Sequence, residues 1–202
     1  MKSTLPLVVL ILLTNPLKAQ LDKGIWLVGG NGSFYSYTEK FSTPAYNQTA
    51  KITSVDLSGT VGYFIVDKFA TGLRPNLTSY DSKVVSSSVA GNVASTVGFQ
   101  IAVGPFARYY FLNKEKPINL LADVGYQFGA NIIRVTPTQR GKFNGFSFMG
   151  GTAIFFNSTA SVEILLGYKQ RIESIENSPN AYDRDKRGLQ VAIGFTLHLE
   201  KL

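Results

Sequence analysis

The chain has 202 residues, of which 45% are hydrophobic and only 16% charged, with a formal net charge of +7 and no cysteine. Soluble domains carry roughly 25% charged residues, so the shortage argues against an ordinary water-facing surface. The missing cysteines exclude a disulfide scaffold, and the thinly spread positive excess, with no basic helix or nucleic-acid motif, excludes a dedicated nucleic-acid binder.

The first 19 residues read as a leader: Met1-Lys2, an apolar run from Leu5 to Leu13, then Leu17-Lys18-Ala19. A basic start, a short apolar stretch and a small residue before the cut define a secretory signal peptide, with cleavage expected after Ala19. The run is too short for a membrane-spanning helix, which needs about 20 residues. When Lys2 and Lys18 leave with it, the net charge falls from +7 to +5. Residues 20–202 then form a single domain.

Eight segments of the mature chain alternate with period two, the signature of strands whose successive side chains face opposite ways. Gly24 to Tyr37 sets Trp26, Val28 and Phe34 against Asn31, Ser33 and Tyr35. The second sets Val55, Leu57, Val61, Tyr63 and Ile65 against Ser54, Asp56, Ser58, Thr60 and Phe64. In the third, Phe69, Thr71, Leu73, Pro75 and Leu77 oppose Ala70, Gly72, Arg74, Asn76 and Thr78. The fourth, Val97 to Phe111, is apolar at every odd position, with Gln100 and Arg108 on its other face. Its length exceeds the usual five or six residues of a soluble strand and the nine to eleven or so that cross a bilayer at a tilt. The fifth sets Ile118, Leu120, Ala122, Val124, Tyr126 and Phe128 against Asn119, Asp123, Gly125, Gln127 and Asn131. In the sixth, Phe143 to Phe156, both faces are apolar, and Phe146, Phe148, Ile154 and Phe156 are placed outward. The seventh opposes Val162, Ile164, Leu166 and Tyr168 to Glu163, Gly167, Lys169 and Arg171. The eighth opposes Leu189, Val191, Ile193, Phe195, Leu197 and Leu199 to Gln190, Ala192, Gly194, Thr196 and His198.

Tight polar turns at Val66-Asp67-Lys68, Asn113 to Lys116 and Asn157 to Thr159 alternate with longer links at Thr38–Thr53, Asp81–Ser95, Arg134–Lys142 and Glu173–Lys186. The Ser/Val-rich stretch Ser82–Thr96 reads as a flexible loop. Short turns on one rim and long loops on the other predict an all-β, eight-stranded antiparallel up-and-down transmembrane barrel. An even strand count brings both ends of the domain to the turn rim, expected to be periplasmic. Aromatic residues form two bands: Trp26, Tyr63, Phe69, Tyr109, Phe111, Phe155 and Phe156 near the turns, and Phe34, Phe99, Phe128, Phe146 and Tyr168 nearer the loops. Such bands fit interfacial girdles.

A soluble lipocalin-like carrier would alternate equally well, and Gly24-Ile25-Trp26 is similar to the start of that family, but its polar face would carry dense Lys and Glu. Here the polar faces are Gly, Ser, Ala, Asn, Gln and Thr with isolated charges, so they point inward. An eight-stranded interior is just wide enough to fill with side chains. The expected inward charges are Asp56, Arg74, Arg108, Asp123, Glu163, Lys169 and Arg171. An unpaired buried charge is costly, so they should form a hydrogen-bonded ladder that plugs the core.

Other motifs point to structure. The single histidine, His198, lacks the convergent partners of a metal or catalytic site, and Thr196 would be an unusual nucleophile for a lipid deacylase. No catalytic residue, metal or cofactor is expected. Gly29-Gly30-Asn31-Gly32 lacks the Lys-Ser/Thr ending of a phosphate loop and reads as close strand packing. The acceptor triplets at Asn47, Asn76 and Asn157 would carry nothing in a bacterial outer membrane. Arg134, Arg140 and Lys142 make the third long loop basic at the depth of lipid phosphates, so lipopolysaccharide contact is weighed there against ordinary solvated charges.

Three blocks, Gly24 to Gly30, Val61 to Gly72 and Gly104-Pro105-Phe106-Ala107-Arg108-Tyr109-Tyr110-Phe111, resemble the outer membrane protein beta-barrel domain family. These are small barrels similar to the OmpA transmembrane domain and OmpX, frequent in the Bacteroidetes. The resemblance implies outer-membrane residence, insertion by the barrel assembly machinery with periplasmic chaperones, and no enzymatic activity. The chain departs from the pattern at its end, where Leu197 and Leu199 stand in place of a terminal aromatic. No peptidoglycan-binding domain is present, so wall anchoring is not expected. The function this implies is a structural or surface-interaction barrel whose loops meet lipopolysaccharide, a host surface or an envelope complex; a narrow channel or transport accessory is the alternative.

Overall fold

The computed structural model describes residues 21–42, 47–87, 95–134, 139–175 and 182–200. The leader and its cleavage site lie outside these residues. Eight strands form: β1 (Trp26–Ser42), β2 (Asn47–Val66), β3 (Phe69–Ser87), β4 (Ser95–Tyr110), β5 (Ile118–Arg134), β6 (Gln139–Phe155), β7 (Ala160–Ile175) and β8 (Tyr182–Leu199). Each pairs antiparallel with its sequence neighbour, and β1 pairs with β8 to close the barrel. The first and last strands meet at Trp26 and Leu199, so both ends of the domain lie on the rim of the short turns.

The alternation sorts as its chemistry requires. Leu57, Leu73, Val124, Phe128, Phe148, Leu166 and Val191 are exposed on the outer face, while Asp56, Arg74, Asp123 and Glu163 are buried inside. In β6, Phe146 and Phe148 point out, Ile154 is half-buried, and Phe143 and Met149 point in. Phe155, assigned by sequence to the outer aromatic band, is instead buried inside, because its odd position places it on the inner face with Ala153. Trp26 meets Tyr63 edge-on at 5.3 Å, and Tyr109 meets Phe111 at 5.1 Å, on the turn side of the outer surface.

The long links are largely strand. Strands of 16 to 20 residues run through most of Thr38–Thr53, Asp81–Ser95, Arg134–Lys142 and Glu173–Lys186. The expected flexible loop is strand at both ends, Ser82–Ser87 in β3 and Ser95–Thr96 in β4. At about 3.3 Å per residue and a tilt near 40°, such strands rise roughly 40–50 Å, well beyond an apolar band of about 25 Å. The added length is polar on its outer face: Lys51 and Thr53 in β2, Ser79, Asp81 and Lys83 in β3, and Arg140, Lys142 and Asn144 in β6. Backbone pairing continues after the hydrophobic pattern stops.

The turn end of the interior is apolar and closed. Leu21, Leu27, Phe64, Phe106, Tyr110, Leu121, Phe155 and Leu165 form one buried cluster. The segment before β1 crosses this end: Lys68 N–H donates to Leu21 O (2.7 Å), Gly24 N–H to Phe64 O (2.9 Å) and Lys23 N–H to Asp67 Oδ1 (2.8 Å). Gly24 takes a φ of 97°, a left-handed conformation that a residue with a Cβ resists. That bend drops Leu21 into the barrel mouth. A Cβ on Gly62 would run into the Phe106 ring, so glycine there makes room for the apolar layer. Leu27→Ala should cost about 2–5 kcal/mol through the cavity left in this cluster. Urea unfolding of the refolded barrel checks this, with the exposed Leu57→Ala expected to cost markedly less.

Candidate functional site in the barrel interior

Above the apolar layer sits a network of charges supplied by four strands. Arg74 of β3 donates to both oxygens of Asp123 of β5, Nη1 to Oδ1 at 2.8 Å and Nη2 to Oδ2 at 2.7 Å. Arg108 of β4 lies directly opposite Asp123 in the strand register and donates through Nε to Oδ2 at 2.9 Å. The same guanidinium reaches across the lumen to Glu163 of β7, Nη1 lying 2.7 and 2.9 Å from its two oxygens. Arg108, Asp123 and Glu163 are 2%, 1% and 3% exposed. Two guanidiniums and two carboxylates therefore neutralise each other away from bulk solvent.

The network grades into the apolar floor. Tyr110 O–H donates to Glu163 Oε1 at 3.3 Å and lies 3.4 Å from His198 Nε2. The His198 ring also contacts Phe64, Tyr110 and Phe155, and its Nδ1 lies 3.4 Å from Thr159 O. His198 is thus a buried bridge between the floor and the acid. Among the described residues no cluster of His, Asp or Glu could hold a metal ion.

A second group lies toward the loop end. Gln100 donates through Nε2 to Glu173 Oε1 (3.0 Å) and accepts from Arg171 Nη1. Arg171 also lies 3.8 Å from Glu173 and stacks its guanidinium 4.5 Å from the Phe143 ring centre. Arg74 stacks in the same way on Phe106, at 4.7 Å. Of the seven expected charges, Arg74, Arg108, Asp123 and Glu163 meet in one cluster and Arg171 joins the second. Asp56 is buried with its Oδ1 unpartnered among the described residues. Lys169 lines the inner cavity, and its electrostatic neighbours are Arg171, Asp56 and Arg74.

Sequence reasoning missed Glu173, which it had assigned to the start of a loop. Its position two residues beyond Arg171, on the same face, was the available signal. With it, the described interior holds four acids, Asp56, Asp123, Glu163 and Glu173, against four bases, Arg74, Arg108, Lys169 and Arg171. Tyr110 and Gln100 were recognised as inward by parity but not as members of the hydrogen-bonded set.

Arg140 and Lys142 are not in a loop. They lie on the outer face of β6, opposite Ile132 and Ala130, and both are exposed. Arg134 ends β5, and its side chain lies outside the described set.

No family model and no curated protein matches the chain. Among solved structures, the outer membrane protein OprG from Pseudomonas aeruginosa aligns over 92% of this chain and all of its own, with TM-score 0.61 and 12% identity. The N-terminal β-barrel domain of Pseudomonas aeruginosa OprF gives 10% identity over 88% of this chain and 98% of its own, with TM-score 0.43. Neisserial surface protein A gives 14% identity over 87% of this chain and 97% of its own, with TM-score 0.47. The OprG likeness establishes a shared fold: a closed, eight-stranded, all-antiparallel barrel.

Replacing Asp123 by Ala strands two buried guanidiniums. It should destabilise the barrel by about 3–5 kcal/mol. Lys83→Ala, which breaks the exposed 3.3 Å pair with Asp81, should cost no more than about 1 kcal/mol. Parallel denaturation curves of the two variants check the contrast.

Proposed function

We propose that this chain is a small integral outer-membrane β-barrel, exported through a cleaved signal peptide, with both ends of the domain periplasmic and a structural or surface-interaction role at its loop end. The observation that carries the reading is the inversion of its surface: an apolar outer belt around a polar, charge-balanced interior. In water that belt would be a liability, since soluble proteins rarely expose apolar patches beyond a few hundred Å². In a bilayer it is the required surface, and a closed barrel leaves no unpaired edge over the stretch it seals. The shared fold with OprG supports the same conclusion. The sequence blocks around Gly62-Tyr63-Phe64 and Gly104-Pro105-Phe106 support a place among OmpA/OmpX-like barrels of the Bacteroidetes type. Assembly by the barrel machinery and periplasmic chaperones belongs to this reading.

The lumen favours a plug over a channel. The Arg74–Asp123–Arg108–Glu163 bridge spans it, and the apolar floor around Leu21 and Phe106 lies beneath. No enzymatic role is part of this reading, because the one histidine is taken up by packing against Phe64, Tyr110 and Phe155.

Arg140 and Lys142 face outward beyond Phe146, the last large apolar side chain on the outer face of β6 before its loop end. Beyond the apolar belt such side chains would lie within reach of lipopolysaccharide phosphates, and guanidinium binds phosphate in a bidentate fashion. Arg134 belongs to the same proposed contact, which stands beside a host surface or an envelope complex as a partner of the loop end.

The protein should fractionate with the outer membrane and migrate on gels as a compact, heat-modifiable species. Planar bilayers should show no large, stable conductance; such conductance would replace the plugged reading with the channel. Leu57→Arg on the outer belt should cost about 2–4 kcal/mol in lipid, whereas a soluble carrier would tolerate it. Unchanged lipopolysaccharide co-purification after Arg134, Arg140 and Lys142 are all made Ala would remove that contact.

A further inference from the structure

The barrel is not zipped equally around its circumference. β1 pairs with β2 all the way from Trp26↔Tyr63 to Ser42↔Asn47, and β7 with β8 as far as Ile175↔Tyr182. The β1–β8 ladder starts at Trp26↔Leu199 and stops at Gly32↔Ile193. Above that pair the two edges part while their outer faces are still apolar: Phe34 is 69% exposed, Val191 59% and Leu189 83%. On the outer surface, where the ladder ends, lies an apolar groove of about 760 Å³ floored by Gly30, Gly32 and Gly59 and walled by Leu57, Pro75 and Phe195. Behind it, inside the barrel, is a cavity of about 30 Å³ bordered by Lys169, Arg74, Gln127 and Gln190, by the Arg-paired Asp123, and by the apolar Met149 and Leu165. Asn31 and Ser58 border both spaces.

Two donors at the inner cavity are unspent. Arg74 Nε is buried without a partner among the described residues, although both Nη atoms are taken by Asp123. Lys169 makes no hydrogen bond or ion pair with any described residue. Arg171, a like charge acting on it, is engaged by Gln100 and Glu173, and Asp56, an acid whose charge acts on it, forms no ion pair with it. Above the last pair Gln190 Nε2 reaches across the seam to Ser33 Oγ at 3.4 Å.

We propose that the open half of the β1–β8 seam is a binding site for a long-chain fatty acid, its carboxylate passing between the strand edges to Lys169 and its chain lying in the glycine-floored groove. The site rests on the outer-membrane reading, since the groove then faces lipid. Charge selects an anion: the unspent donors are cationic, and unpaired strand edges add backbone N–H groups that hydrocarbon cannot satisfy. The inner space is small beside the groove, about 30 against 760 Å³, which favours the smallest anionic lipid head, a carboxylate, over a phosphate with its ester. The groove volume lies within the range of ligand pockets, about 300–1,000 Å³, and takes a single extended chain with room to spare.

The test uses the full mature chain refolded in detergent micelles, with folding scored first by the heat-modifiable band. Carboxyl-labelled palmitate is then titrated in, alongside methyl palmitate and lysophosphatidic acid. Saturable binding of one palmitate per barrel is expected, with both competitors weaker by about tenfold or more. Lys169→Met should weaken palmitate binding by a similar factor while leaving the folded band intact. Gly32→Trp, which fills the groove from outside, should do the same with the inner donors untouched. In the double variant S33C/A192C, whose positions follow the last paired residues, oxidation should abolish binding and reduction should restore it. Equal binding of methyl palmitate, or indifference to both Lys169→Met and the seam disulfide, overturns the site. Equal binding of lysophosphatidic acid overturns the choice of carboxylate. A folded band that takes up no palmitate sinks the site alone, whereas failure to give any folded band sinks the outer-membrane reading with it.

Discussion

Closing eight strands into a barrel leaves an interior only as wide as the side chains that fill it, and each inward residue of this chain answers to that constraint. Nothing inside can be solvated by bulk water, so the charges of the central network meet their opposites, Lys169 and Asp56 standing apart from it. Asp123 carries the most: it accepts from Arg74 on one side and Arg108 on the other, and Arg108 continues to Glu163. Three connections thereby tie β3, β4, β5 and β7 through the centre, in addition to the ladders that join neighbours. A buried ion pair adds little net stability compared with an apolar pair of the same volume. Its value here is one of register, because a slip by one residue would turn Arg108 or Asp123 outward and leave the other unpaired.

The interior is layered by the same logic. At the turn end the chain itself supplies a lid, since the bend at Gly24 turns Leu21 back under Phe64 and Phe106. The charge network stands on this dry floor, and Tyr110 and His198 join the two by offering one apolar face and one polar atom each. Toward the loop end the Gln100–Arg171–Glu173 group closes the lumen again, with Phe143 under the guanidinium. The apolar floor, the central charges and the Gln100–Arg171–Glu173 group thus stand in separate layers along the barrel.

Much of the fold was legible because period-two patterning is strict wherever one face meets an apolar medium. Val97 to Phe111 announces its faces from sequence alone, and so do β2, β5 and β8. The inward charges on those faces were legible for the same reason. The pattern fails where both faces meet water, since a strand there can be polar throughout. Lys51, Asp81 and Arg140 therefore read as loop, although the backbone ladder carries them as strand. Glu173 was lost with them. Phe155 was misread for the opposite reason: next to Phe156, two consecutive aromatics erase the alternation, and only counting parity from Ala153 puts it inside. The partners of each charge were not legible at all. Which carboxylate faces Arg108 depends on the stagger of non-adjacent strands around the barrel, a quantity no single strand carries.

The shortest ladder in the barrel is also rich in glycine. β1 carries Gly29, Gly30 and Gly32 within four residues, and Gly194 stands opposite on β8. Glycine loses the most backbone freedom on ordering and offers no side chain to the cross-strand pairs that stabilise sheets. The seam is held at its turn end, where Trp26, Leu27 and Val28 face Leu199, His198 and Leu197 with full-sized side chains. It ends at Gly32↔Ile193, whereas the β1–β2 ladder runs through the same glycines as far as Ser42. The β1–β8 ladder has the fewest paired residues of the eight, and local openings of a fold follow its least stabilised contacts. The glycines that thin the wall leave the groove on its outer surface, so the apolar recess lies beside the end of the shortest seam.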